Sequence, residues 1–207
     1  EIRTVEDALA RPDLFPNPSD GSKGAVHNCP EGWNCRISTE NLFKAFDGEN
    51  KSFSLINSES GAELDASIAQ AFETNTGWLG YYWAPTATLG KYDMVRLSFG
   101  VPHDQDEWNA CTSQRDCEDP QPNAWPRSEV YTVMTDEIFR RGGEVPRYLS
   151  KRSWSNATVN MMLAWMVENR ASIDEGARHF LENYGDVWED WVTPAAAIKV
   201  RNHLANS

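Results

Sequence analysis

Four cysteines in two pairs, Cys29/Cys35 and Cys111/Cys117, each pair six residues apart, constrain this chain more than any other feature. Thiols so close in sequence either bridge locally or share a metal. Zinc ribbons and knuckles typically space their ligands by about two to four residues, and no histidine directly adjoins a cysteine of either pair, the nearest being His27, two residues before Cys29. The spacing favours two local disulfides and, with them, an oxidising compartment. Loops this short remove little entropy from the unfolded chain, so their work is to set local shape.

The first pair encloses a tryptophan, in Cys29-Pro30-Glu31-Gly32-Trp33-Asn34-Cys35. Further on, Gly77-Trp78-Leu79-Gly80-Tyr81-Tyr82-Trp83-Ala84-Pro85 holds four aromatics within six positions. Two readings stand side by side. One is a stapled turn and a buried aromatic strand. The other is a set of aromatic walls held by a covalent loop, the arrangement that attracts a methylated ammonium ion through the ring faces.

A chain of 207 residues, 40% apolar and 24% charged, is globular and long enough for one large domain or two small lobes. The net charge of −12 argues against a nucleic-acid partner, which needs a basic face. No apolar run reaches the roughly 18 residues needed to cross a bilayer. Glu1 opens an acidic, arginine-bearing segment instead of a signal peptide, so the chain is expected to begin after a processing boundary.

Periodicity predicts a short helix over residues 4–9 and an irregular stretch through Pro12, Pro16 and Pro18. Residues 20–32, rich in Gly, Ser and Asn, read as non-repetitive structure. Ser38-Thr39-Glu40 reads as the start of a capped helix. A strand is expected over 51–56 and a helix over 60–74, with Leu64, Ile68, Ala71 and Phe72 at helical spacing. Further strands are expected over 78–83, 94–97 and 131–134. Residues 101–128 read as a long loop pinned by Cys111–Cys117. Helices are expected over 136–140 and 156–169, from Ser172, and around Pro194.

No catalytic signature is present. The four histidines, His27, His103, His179 and His203, are scattered, and no nucleophile elbow or phosphate loop occurs. Asp104, Asp106 and Glu107 loosely suggest a calcium loop, without the glycine and distal glutamate of an EF-hand. Tryptophan is the outlier, nine in 207 residues. Trp165 reads as core, and Trp154, Trp188 and Trp191 as packing at helix ends. Trp108 and Trp125 sit in the polar loop, as a contact surface or as packing.

The Cys29-x-x-Gly32-Trp33-x-Cys35 motif followed by Tyr81-Tyr82-Trp83-x-Pro85 resembles the substrate-binding proteins of quaternary-amine ABC importers, the OpuAC-like family serving glycine betaine, proline betaine and choline. Residues 2–15, 87–97 and 159–192 resemble other family segments in order, so the resemblance covers nearly the whole chain. It implies that Trp33 and Trp83 are cage walls and that backbone N–H groups near Asn34 and Cys35 hold a ligand carboxylate. Strand alternation makes Tyr81 the companion of Trp83 and turns Tyr82 toward the core.

The resemblance further implies an α/β fold of the type II periplasmic-binding-protein kind, a mixed sheet flanked by helices. Residues 1–130 would form the second ligand-binding lobe, and 131–207 a C-terminal strand and helices returning to the first. Family members are expected to run about a hundred residues longer at the N-terminus. The implied function is extracytoplasmic, non-enzymatic capture of a methylated onium osmolyte, with no cofactor or metal. The partners are the small quaternary amine and the permease's transmembrane subunits, with no nucleic acid and no membrane span in this chain. Two other readings stay open: a secreted enzyme acting on a methylated amine through Asp or Glu, and an extracellular interaction module using the Trp108/Trp125 loop.

Overall fold

In the computed structural model, which describes residues 1–206, the chain sorts into two units. The first is Glu1–Trp83 with Met94–Arg127; the second is Ala84–Asp93 with the chain from Ser128 onward.

The first unit begins with α1 (Val5–Leu9), started by a reciprocal cap in which the Thr4 hydroxyl accepts from the Asp7 N–H and the Asp7 carboxylate accepts from the Thr4 N–H. A three-stranded mixed sheet follows. The two-residue β1 (Pro16–Asn17) runs antiparallel to β2 (Asp20–Asn28), and β2 runs parallel to β3 (Phe53–Asn57), in register from Gly24↔Phe53 to Asn28↔Asn57. Between β2 and β3 the chain crosses through α2 (Asn34–Ala45), and α3 (Gly61–Glu73) follows, capped by Ser60. The core gathers Leu9, Phe15, Leu42, Phe46 and Phe53, while α3 buries Leu64, Ile68 and Ala71. Phe72 lies off that face and is 42% exposed.

Several expectations are corrected here. Residues 20–28 form the longest strand of the sheet instead of irregular structure. The local composition hides it because Gly24 is needed for contact: a Cβ there would come within 2.5 Å of the Phe53 ring. Helix α2 starts at Asn34, a turn before the expected cap, and buries Ser38 and Thr39. Residues 78–83 stay extended but pair only through the bridge His27↔Gly80, and residues 94–97 form no strand, with one bridge nearby at Thr4↔Ser98. Residues 131–134 have no strand partner among the described residues, and Val130, Tyr131 and Val133 stand 97%, 74% and 89% exposed. Within 101–128, a helical turn at Gln105–Glu107 runs into a π-helical turn at Trp108–Thr112. Asp104 caps the first of these by accepting from the N–H groups of Asp106 and Glu107, which accounts for that acidic cluster.

In the second unit, α4 (Ala87–Lys91) packs against the helix Asn156–Asn169, whose Asn160 side chain accepts from the Thr86 N–H at 2.7 Å. Ser172 and Glu175 form the expected capping box for the helix Ile173–Asn183. Trp188 and Trp191 are buried with Ala197 of the helix Pro194–Ala205. Trp165 is only half-buried and stacks on His179, with centroids 3.7 Å apart, because its helix has one packed side and not a surrounding core. Trp154 is 44% exposed, its ring edge-on to Trp191 at 5.1 Å.

Candidate functional site

The Cys29–Cys35 disulfide joins the residue after β2 to the first turn of α2, with Cα atoms 6.0 Å apart. Asn28 stiffens the same corner and is fully buried. Its side-chain oxygen accepts from the Cys29 N–H at 2.7 Å, and its amide donates to Asn57 Oδ1 at 2.9 Å and to the Arg36 carbonyl at 3.3 Å. Trp33 therefore sits at the N-cap of α2 on a fixed base and is 39% exposed.

Tyr81 reaches the same region from the sheet. The His27 N–H donates to the Leu79 carbonyl at 2.8 Å and the Tyr81 N–H donates to the His27 carbonyl at 3.0 Å, so residues 79–81 run along β2. The Ala25 N–H donates to the Phe15 carbonyl on that same edge, since alternate residues of a strand face one side. Gly80 permits the approach: a Cβ there would lie 2.5 Å from the His27 carbonyl oxygen. Burial raises the Tyr81 phenol above its usual range, so it stays a neutral donor. Burial likewise holds the neighbouring His27 imidazole down to about 4, against a weaker opposing pull from Glu63.

The third contribution comes from the Cys111–Cys117 segment, whose Cα atoms are 5.0 Å apart. Asn41 of α2, 2% exposed, aims its amide at three carbonyls of this segment, those of Cys111, Thr112 and Gln114, at 3.2, 3.1 and 2.8 Å. This anchors the π-helical turn that begins with Trp108. The Trp108 and Trp125 rings meet edge-on at 4.9 Å, and Trp125 meets Tyr81 at 4.7 Å.

Trp33, Tyr81, Trp108 and Trp125 thereby line one cavity of about 660 Å³. Asn34, Cys35 and Ser38 from the start of α2 complete one side, and Ser113 stands on another. Among the described residues its wall carries no carboxylate, ammonium, guanidinium or imidazole. The first N–H groups of a helix have no intrahelical acceptor, and Trp33 at the N-cap makes no side-chain bond to them. Asn34 and Cys35 thus present a positive helix end at the rim of an uncharged aromatic space.

Of the residues expected from sequence, Trp33, Asn34, Cys35 and Tyr81 come together here. Trp83 does not line the cavity; its ring lies edge-on to Trp33 at 5.1 Å and stacks on Tyr82 at 4.6 Å. Tyr82 is half-buried and donates its hydroxyl to Asp65, where strand alternation had turned it toward the core. Sequence reasoning missed Trp108 and Trp125 as members of this set. Both are half-buried and packed against the core instead of standing out from a loop. The one signal that could have found them is a second short cysteine pair placed between two tryptophans. No group of three or more His, Cys, Asp or Glu side chains suited to a metal occurs among the described residues. No helix among them is long and apolar enough to cross a membrane.

A family model described as the substrate-binding domain of an ABC-type glycine betaine transport system matches residues 1–183. No curated protein sequence matches significantly. Among solved structures, the chain is similar in fold to lactococcal OpuAC in its closed-liganded conformation complexed with glycine betaine, at 14% identity and a TM-score of 0.51. The match covers 93% of this chain and 63% of that one, so the chain spans less than two thirds of that relative's length. The mixed α/β architecture is accordingly that of a periplasmic binding protein. The chain belongs to the OpuAC family, the substrate-binding domains of ABC-type glycine betaine transport systems.

Proposed function

We propose that this protein is the extracytoplasmic solute-binding component of an ABC importer, capturing a methylated onium osmolyte and delivering it to the permease. The observation that carries the reading is the uncharged cavity walled by Trp33, Tyr81, Trp108 and Trp125 beside the open N-terminus of α2. A quaternary ammonium cannot donate a hydrogen bond from nitrogen, so ring faces are its natural partners, each worth about 2 kcal/mol or more when desolvated. In this proposal Trp83 sets the tilt of Trp33 by packing against its ring.

The far end of the ligand decides between candidates. Choline ends in a neutral hydroxyl and asks for an acidic residue to balance its cation. The cavity wall has none among the described residues, whereas the N–H groups of Asn34 and Cys35 suit a carboxylate. This favours a carboxylate-bearing betaine, glycine betaine or proline betaine, over choline. It also supports capture over catalysis, since no carboxylate, imidazole or amine among the described residues faces the space to act as a base. Under the same proposal the first unit is the second ligand-binding lobe, and the chain from Ser128 returns to the first lobe.

Calorimetry with glycine betaine, proline betaine, choline and trimethylamine N-oxide tests this. Trp33→Ala and Trp108→Ala should each weaken glycine betaine about thirtyfold while far-UV circular dichroism stays unchanged. Unchanged affinity in both variants would sink the cage.

A further inference from the structure

Behind the aromatic cavity lies a smaller one of about 90 Å³, walled largely by apolar side chains such as Leu9, Val26, Leu42 and Phe46. Tyr81 and Trp125 line both cavities, so the two spaces adjoin at this pair of residues. One lining residue is out of character. Thr39, in the body of α2, is 7% exposed, and its hydroxyl oxygen has no hydrogen-bond partner among the described residues. A helical threonine commonly returns its hydroxyl to the carbonyl one turn back; here it does not. Protein interiors are close-packed and their polar groups paired. A void and an unpaired hydroxyl at one place mark a spot where tight packing yields to another requirement.

We propose that this chamber gives the cage wall room to retract. It lets Tyr81 and Trp125 move back for onium groups wider than trimethylammonium, and Thr39 is the specificity-determining residue that sets its depth. A ring backed by packed atoms cannot withdraw, because interiors compress little, whereas a ring backed by a void loses few contacts by moving into it. Across the cavity, Trp33 is backed on one side by α3, where a Cβ on Gly61 would come within 3.2 Å of its ring. Two small residues keep the chamber open, Thr39 and Gly80. Gly80 cannot enlarge without striking the His27 carbonyl, which leaves Thr39 as the one of these two whose size can vary.

This inference rests on the onium reading, and the experiment separates the two. Calorimetry on the full chain compares tetramethylammonium with tetraethylammonium. Both should bind the wild type, and filling the chamber from either side, by Thr39→Leu from the helix or Val26→Ile from the strand, should weaken tetraethylammonium relative to tetramethylammonium by about tenfold or more. Thr39→Val removes the hydroxyl and keeps the volume. It should preserve the wild-type ratio while raising the melting temperature by about 2–4 °C. A ratio unmoved in both filled variants overturns the proposal. A wild type that binds tetramethylammonium but not tetraethylammonium overturns it and leaves the onium reading standing. Binding of neither ion also overturns it, and the onium reading is overturned with it only if glycine betaine fails to bind the same protein.

Discussion

The two units use their large apolar residues in opposite ways. In the first, Leu9, Phe15, Leu42, Phe46, Phe53, Leu64 and Ile68 are buried, and the large apolar side chains left exposed are few: Leu14, Trp33, Phe72 and Val95. In the second, burial centres on Trp188 and Trp191, while Val130, Tyr131, Val133, Phe139, Val167 and Ile173 are all well exposed. A sheet with helices can close a core around itself, and the first unit has one. Among its described residues the second has helices that pair locally and no strand, so its apolar faces lack an opposing sheet within it. The difference teaches that a closed core and a solvent-facing aromatic cavity belong to the same unit: the core and the amide of Asn41 bring together the distant segments that carry the cavity's walls.

The largest expected effect probes that core. Phe53→Ala removes the ring that covers Gly24 and should cost about 3–5 kcal/mol, read by hydrogen exchange as lost protection across β2 and β3. Protection in the helix Asn156–Asn169 should stay as it was; parallel loss there would break the division into two units.

Next in size is a pH effect through His27. In the unfolded chain this ring takes up a proton near 6.5, and in the folded chain not until about 4. Between those values the unfolded state binds more protons. Stability from this group is therefore full above about pH 6.5 and falls as pH drops toward 4, by up to about 3 kcal/mol. Urea denaturation at pH 7 and pH 4.5 should show the loss, and His27→Gln should remove most of the slope. An identical slope in the variant would assign the effect to other groups.

The smallest effect belongs to the second unit. Val133 is 89% exposed, so Val133→Ser should change stability by no more than about 0.5 kcal/mol. The contrast with Phe53→Ala is the sharpest form of the comparison. A loss above about 1 kcal/mol at Val133 would mean that its surface is covered in solution.

Local signals in this chain were strongest where the structure is local. Helices with sequence caps, at Thr4, Ser60 and Ser172, start where their side chains find the orphan N–H groups. The two cysteine pairs were equally legible, because six residues of chain hold the sulfurs near each other whatever the fold. Strands were not. Residues 20–28 look like a loop by composition, yet become a strand because β3 supplies hydrogen-bond partners and Phe53 fills the place where Gly24 has no side chain. Residues 131–134 show strand composition and stay unpaired, because alternation creates an edge and not a partner.

The candidate site divides along the same line. Trp33, Asn34 and Cys35 are adjacent in sequence, and a short covalent loop fixes them together, so the motif by itself determined that a tryptophan would stand on a rigid turn. That Trp108 and Trp125 would face it was decided by tertiary structure alone, through the amide of Asn41 drawing three carbonyls of a segment some seventy residues away onto α2. Covalent bonds and helix caps act across a few residues and leave their mark in the sequence. The aromatic wall is closed by hydrogen bonds and ring contacts between distant segments, and those exist only once the core has brought the segments together.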